Sequence, residues 1–187
     1  DPIGKITAYY VKHSEPATMG RYIGKGCRNV TFRIGFPSTD LATFKTLKSL
    51  GFADSTEIPV GDARVSPIDY LTTMYQRAIS KSRGEAPPRE EYEYDAFRID
   101  IFGQLRESPA MVTYHIITWN DPERGISSAR DTAVPPSLVS QWQATRKIKN
   151  PGVFPAEATV DPIPFFMEVG KRKIRVEEHF TETRRFY

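Results

Sequence analysis

The chain has 187 residues, of which 39% are hydrophobic and 26% charged, an ordinary composition for a globular domain with a sizeable core. A net charge of +3, with no basic block interleaved with aromatic residues, argues against nucleic-acid binding. The single cysteine, Cys27, excludes an internal disulfide, and no apolar run reaches the roughly 18 residues of a membrane span, so we expect a cytoplasmic protein. The chain opens with Asp-Pro-Ile rather than Met, and we expect a piece of a longer protein.

The first half of the chain predicts two strands followed by two helices. Alternating apolar residues favour strands over residues 5–11 and 29–36. An apolar stripe at helical spacing predicts a helix over about 40–50, ended by a glycine. A second helix should begin at Ser66, as its cap, with Pro67 at the first helical position.

Residues 94–119 form two long alternating arms around a cluster of turn residues, which is typical of a β-hairpin. With the turn centred near Glu107, odd-numbered residues would share one face, mainly apolar, that the helices cover. That face would hold Phe97, Ile99, Ile101, Met111, Thr113, His115, Ile117 and Trp119. The other face would hold Tyr94, Arg98, Asp100, Phe102, Val112, Tyr114 and Ile116, and its mixture of charge and aromatics favours a partner or ligand surface. A slip of one residue would exchange the assignments.

The second half repeats the order of strands and helices. After the charged loop at 82–91 and the hairpin, helices are expected over 135–147 and from Asp161-Pro162, and an edge strand at 174–176. Residues 179–187 should form a loose tail or belong to another domain. Elements clustered in this way predict an α+β fold, a mixed, mostly antiparallel sheet covered by helices, in one domain over 1–187.

Five polar residues are candidates for a substrate-binding site. His13 follows a strand and could exchange protons with Glu15 orienting it, although a solvated loop explains the pair as well. Arg21 and Arg33 offer planar forks for a carboxylate; for Arg33 the alternative is an ion pair with a neighbouring acidic residue. Thr132 should lie just before a helix whose free N–H groups can hold a carboxylate, or act as a simple cap.

Other sites are disfavoured by the pattern. Gly24-Lys25-Gly26 lacks the following helix of a phosphate loop, and no Gly-x-Gly-x-x-Gly is present. The histidines are distant in sequence, so no metal site is expected, and His115 is interpreted as a core histidine. Cys27 has no adjacent base and is interpreted as structural.

Several stretches, in their order and spacing, resemble the C-terminal domain of the saccharopine dehydrogenase family. The first three are His13-Ser14-Glu15-Pro16-Ala17-Thr18, Arg28-Asn29-Val30-Thr31-Phe32-Arg33-Ile34-Gly35 and residues 41–52 (LATFKTLKSLGF). The last resemble the family's closing Gly-Val-x-x-Pro-Glu and Pro-Phe-Phe segment: Gly152-Val153-Phe154-Pro155-Ala156-Glu157 and Pro164-Phe165-Phe166.

The resemblance implies a fold like the C-terminal domains of saccharopine dehydrogenase and glyceraldehyde-3-phosphate dehydrogenase-like proteins. It implies a substrate-binding and dimerisation domain that works with an N-terminal Rossmann domain in the same polypeptide, which binds NAD or NADP. The relatives transfer hydride at a C–N bond of amino acids such as lysine or saccharopine, or of carboxylated polyamines. The chain itself should bind no nicotinamide and be inactive alone; the alternative is a non-catalytic ligand-binding or assembly module on the same scaffold. No catalytic residue is assigned.

Overall fold

The computed structural model describes residues 3–35, 38–82 and 93–183, with the backbone alone at 38, 39 and 82. The chain forms two compact units. The first unit comprises Asp1–Lys12 and Thr31–Arg89, and the second comprises His13–Val30 and Glu90–Tyr187. The expectation of one domain over residues 1–187 stays a prediction.

Helices and strands are mixed along the chain, and every strand pairing in the described part is antiparallel, which confirms the α+β class. No helix in the described ranges combines the length and the apolar character that crossing a bilayer requires. The elements in chain order are β1 (Ala8–Tyr10), α1 (Glu15–Tyr22), β2 (Arg33–Gly35), α2 (Ser38–Ser49), β3 (Ile58–Val60), β4 (Ala63–Val65), α3 (Pro67–Ser82), β5 (Tyr94–Leu105), β6 (Ser108–Trp119), a 3-10 turn (Pro122–Arg124), α4 (Arg130–Ala144), α5 (Ala156–Thr159), α6 (Pro162–Lys171) and β7 (Ile174–Glu182).

The first unit contains two small hairpin-like pairs and two helices. β1 pairs with β2, but both are three residues long, shorter than the alternation of apolar residues predicts. β3 and β4, which the sequence did not indicate, pair across a turn at Gly61, whose φ of +60° suits glycine. The start of α3 is as predicted, because Ser66 Oγ accepts a hydrogen bond from the N–H of Asp69 at 3.4 Å. Residues 83–91 of the predicted charged loop lie outside the described residues.

The second unit is built on the sheet β5-β6-β7, with β6 in the centre. β5 and β6 form the long hairpin that the sequence predicts, from the pair Tyr94 and Trp119 down to Leu105 and Ser108. Only two residues form the turn, and both have positive φ: +50° at Arg106 and +67° at Glu107. A two-residue turn of this kind matches the twist of the strands that it joins.

The hairpin register differs by one residue from the predicted one, and the assignment of β6 to the two faces is therefore wrong. A two-residue turn places Phe97 opposite Ile116 and Arg98 opposite His115, so even-numbered residues of β6 share a face with odd-numbered residues of β5. We call one face the helix-side face; it includes Phe97, Ile99, Ile101, Val112, Tyr114, Ile116, Ile174, Val176, Glu178 and Phe180. The other is the polar face; it includes Arg98, Asp100, Thr113, His115, Arg175, Glu177 and His179.

α4 and α6 pack against the helix-side face and form the core. Leu138 and Trp142 of α4 and Val169 of α6 are buried with Ile174 of β7. The Trp142 ring meets Phe165 edge-on at 6.3 Å between centroids. Burial of these apolar side chains gives the second unit its main stabilisation, since each contributes roughly 1.5–3 kcal/mol.

The C-terminal strand is longer than predicted. β7 pairs with β6 from Ile174 to Glu182, so residues 179–182 belong to the sheet rather than to a loose tail. The apolar positions Ile174, Val176 and Phe180 fall on one face of this strand, with Glu178 between the last two. Residues 184–187 lie outside the described residues.

Candidate functional site

His13 and Glu15, predicted to act together, are in contact at the start of α1 in the second unit. The Nδ1 atom of His13 forms a hydrogen bond with Oε2 of Glu15, and the Ser14 hydroxyl donates a hydrogen bond to the same oxygen at 3.2 Å. Burial alone would raise the pKa of Glu15. The hydrogen bonds from His13, from its own backbone N–H and from Ser14 outweigh that effect, so the pKa is lowered. Glu15 is therefore an ionised carboxylate that orients the imidazole.

Arg21 and Arg33 lie in different units. Arg21 is exposed in the last turn of α1, where a cation is favourable to the helix dipole. Arg33 is in β2 of the first unit, directly across from Tyr10. Its guanidinium lies 4.4 Å from the centroid of the Tyr10 ring and donates to the Tyr10 hydroxyl, so the Tyr10 side chain is a partner of Arg33 within the first unit.

Thr132 does not precede a helix, and this prediction is wrong. α4 begins at Arg130, so Thr132 is the third helical residue; it is exposed and donates to Asp131 at 3.2 Å. The reason lies in Pro135 and Pro136, which favour a helix start but sit inside the first two turns here. The helix starts earlier, with a tighter turn in which the N–H groups of residues 130–132 bond the carbonyl oxygens three residues back.

Glu157, at the start of the short helix α5, is a polar residue that the sequence analysis did not propose for a site. Its Oε1 atom is buried and has no hydrogen-bond partner within the described residues. α5 contacts α1 in the same unit. A buried carboxylate oxygen without a donor has a strong preference for a cation or an N–H group.

A shallow pocket of about 360 Å³ lies at the end of β6, next to the 3-10 turn. Arg130 lines it and donates to the carbonyl oxygens of Trp119 at 2.6 Å and Lys173 at 3.3 Å. Nearby, burial and then the repulsion from Asp95 raise the pKa of Asp131. One terminal nitrogen of Arg130 thus connects α4 with the sheet, while its buried Nε atom has no hydrogen-bond partner within the described residues.

The polar face carries two groups of interacting side chains. In the first, Nε of Arg98 lies 3.0 Å from both oxygens of Asp100, and the buried Thr113 hydroxyl donates to Asp100 at 2.8 Å. Each pair joins residues that the antiparallel register places opposite or two apart. Asp100 is thereby held in one orientation.

In the second group, His115 of β6 lies opposite Glu177 of β7, and His179 is two residues further along β7. The two imidazole rings are 5.0 Å apart between centroids, and His179 Nε2 is 3.8 Å from Glu177 Oε2. His115 is half-buried on the polar face and not in the core. The interpretation of His115 as a core histidine is therefore wrong, and so is the premise that distance in sequence keeps the histidines apart.

Comparisons with known proteins add no relative: no protein-family model matches the chain, and no curated protein matches it.

Proposed function

We propose that this chain is the substrate-binding and dimerisation domain of an NAD(P)-dependent oxidoreductase of saccharopine-dehydrogenase type. The parent enzyme would transfer hydride at the C–N bond of an amino acid or a carboxylated polyamine. The support is the ordered set of sequence segments that resemble that family. A Rossmann domain in the same polypeptide would hold NAD or NADP, because the chain has no glycine-rich fingerprint for the nicotinamide cofactor.

One observation carries the proposal furthest: two of the resembling stretches, far apart in sequence, are neighbours in the second unit. The stretch from His13 to Thr18 forms the start of α1, and the stretch from Gly152 to Glu157 leads into α5, which contacts α1. Phe165 and Phe166, from the last resembling stretch, pack against the core of the same unit. Family segments that meet in one place are expected for a shared binding site.

The polar groups at this junction suit an amino-acid substrate. The ionised Glu15 and the unsatisfied oxygen of Glu157 are acceptors for an ammonium group. His13 offers an imidazole that is held by the Glu15 carboxylate. Arg21 on the same helix is a candidate for the substrate carboxylate, whereas Arg33 and Thr132 have the local contacts described above.

The test is nicotinamide turnover by the complete gene product. We expect NADH or NADPH to be consumed with lysine and a 2-oxo acid, or NAD(P)⁺ to be reduced with saccharopine, and this chain alone to be inactive. Glu157→Gln in the complete protein should raise the KM for the amino acid at least about tenfold, the worth of one charge-assisted hydrogen bond. Glu123→Gln, the same change at an exposed position of the second unit, is the matched control. A complete protein that neither binds nor turns over a nicotinamide overturns the enzyme assignment.

The alternative is a non-catalytic ligand-binding or assembly module. It predicts saturable binding of amino acids by the second unit, without nicotinamide turnover by the complete protein. Calorimetric titration with lysine and with dicarboxylic amino acids measures the binding that both functions require, and the turnover assay on the complete protein separates them.

We also propose a homodimer formed through the sheet. Tyr94, Arg98 and Tyr114, which the sequence placed on one partner surface, do not share a face. Tyr114 lies on the helix-side face, and the other two lie on the polar face. The support is now β5, an edge strand of twelve residues whose Ile99 and Ile101 are 42% and 50% exposed.

Sedimentation velocity tests the dimer. Ile101→Lys should produce a monomer at micromolar concentration, because a charge at an edge strand opposes pairing with a second copy. Met167→Lys, which places the same charge on an exposed apolar residue of α6, should leave the dimer intact. A wild-type protein that sediments only as a monomer rules the dimer out.

A further inference from the structure

Three side chains with metal-binding atoms converge on the polar face of the second unit: His115, Glu177 and His179. The register of β6 and β7 brings them together, since residues two apart on a strand point to one face and cross-strand partners are adjacent. One ligand atom from each residue lies within 4.8 Å of the other two. Two imidazole nitrogens and one carboxylate oxygen are therefore available on a single side of the sheet.

We infer that His115, Glu177 and His179 form a binding site for Zn²⁺. A set of two histidines and a glutamate is a known ligand combination for this ion, whereas Mg²⁺ and Ca²⁺ prefer oxygen ligands alone. Tetrahedral bonds of about 2.1 Å place ligand atoms roughly 3.4 Å apart. The 3.8 Å between His179 Nε2 and Glu177 Oε2 is already close to this value, and rotation of side chains that are 58% and 43% exposed closes the rest.

The charged neighbours leave the required atoms accessible. Arg175 binds Glu177 through Oε1 at 3.3 Å, so Oε2 remains directed toward His179. Arg98 lies opposite His115, but its Nε is held by both oxygens of Asp100. The nearest guanidinium groups are thus paired with carboxylates, and Glu177 keeps one oxygen for a cation.

Three protein ligands leave the fourth coordination position open for water or another small molecule, as in catalytic zinc sites. Solvent reaches the cluster from the side of Arg98, His179 and Glu177, whose side chains are 62%, 58% and 43% exposed. Binding of Zn²⁺ here requires neither a nicotinamide nor an amino-acid substrate, so its test is separate from that of the proposed oxidoreductase.

The experiment is titration of the full chain with Zn²⁺ after removal of metals by a chelator, followed by calorimetry or by competition with a chromophoric chelator. We expect one equivalent to bind per chain. His115→Ala and His179→Ala should each weaken binding by at least about 100-fold, because loss of even an outer-shell partner costs 10–100-fold. The chain has three histidines, so His13→Ala, which removes the remaining one beside Glu15, is the matched control and should bind as the wild type does.

Two further variants keep the test decisive if His115→Ala does not fold. Glu177→Gln, on the edge strand, should lower the affinity at least about tenfold, and Arg175→Gln should raise it by removing the competing cation. Circular dichroism checks the fold of each variant. No saturable uptake of Zn²⁺, or equal affinities in His179→Ala, Glu177→Gln and His13→Ala, would overturn the inference.

Discussion

Replacing the two residues of the β5–β6 turn, Arg106→Asn together with Glu107→Gly, should stabilise the second unit. Both native residues have left-handed backbone angles, φ +50° and +67°. The left-handed conformation costs an ordinary residue roughly 1–2 kcal/mol, so the turn holds about 2–4 kcal/mol of strain. Asparagine tolerates this conformation and glycine adopts it freely.

The net gain is smaller than the strain, because glycine also gains freedom in the unfolded chain. This added freedom of glycine in the unfolded chain lowers the gain in stability by roughly 0.5–1 kcal/mol. Asparagine also keeps part of the strain of the left-handed conformation. About 1 kcal/mol of added unfolding free energy remains. With a urea slope of about 2 kcal/mol per molar, the midpoint should rise by about 0.5 M.

Tryptophan fluorescence is a suitable assay, because both tryptophans of the chain, Trp119 and Trp142, lie in the second unit. Urea unfolding of the double variant should show a higher midpoint and an unchanged slope. Glu107→Pro is the opposing variant: proline fixes φ near −65°, so the turn cannot form and the midpoint should fall. A double variant with an unchanged or lower midpoint at equal slope would refute the two-residue turn and the register built on it.

Three other changes have expected outcomes that the same unfolding assay measures. Leu138→Ala should lower the unfolding free energy by about 2–5 kcal/mol, because Leu138 is 2% exposed and the change leaves a cavity in the core. A loss below about 1 kcal/mol, typical of a surface substitution, would contradict this core. Asp161→Ala should lower the unfolding free energy by about 0.5–2 kcal/mol, because Asp161 caps α6 by accepting a hydrogen bond from the N–H of Ile163 at 3.2 Å. Asp161→Asn, which keeps an acceptor oxygen, should lower it much less. Glu168 has a pKa lowered from 4.5 to about 2 by hydrogen bonds from Lys171 and then Arg172, so its stabilising contribution is present above pH 4.5 and is lost as pH falls through about 2. Glu168→Gln should therefore show a weaker fall of the urea midpoint with acid, and identical acid profiles for the two proteins would count against the ion pairs.

Local signals in the sequence located several elements correctly. Ser66 caps α3 and Asp161-Pro162 opens α6, both as predicted from residue type and spacing, and Asp161 also proves to be the cap. The two arms of the hairpin were also clear, because each alternates over about a dozen residues. Such signals succeed where a helix end or a strand is determined by contacts between residues close in sequence.

The register was not accessible, because it depends on how many residues form the turn. Arg106 and Glu107 are not the Asn-Gly or Asp-Gly pairs that mark a two-residue hairpin turn, so nothing in their identity specifies left-handed angles. A shift of one residue moved His115 from the predicted core to the polar face. The predicted start of α4 was also wrong, because Pro135 and Pro136 lie inside the helix rather than at its first position.

The polar cluster of His115, Glu177 and His179 needed tertiary information. The residues come from two strands that are separated in sequence by three helices, and only the pairing of β6 with β7 makes them neighbours. The alternation of Arg175, Glu177 and His179 was a usable signal, since residues with a period of two share a face. It was overlooked because the strand was expected to end at Val176.

The two compact units alternate along the polypeptide, so the backbone passes between them three times, after residues 12, 30 and 89. No single proteolytic cleavage can therefore release either unit intact. During synthesis the second unit cannot complete its folding until its last segment is made, because β7 completes the sheet and supplies Ile174 to the core. A premature stop codon before Lys173 would thus leave β6 as an unprotected edge and expose the apolar sides of α4 and α6, so we expect such truncated chains to aggregate.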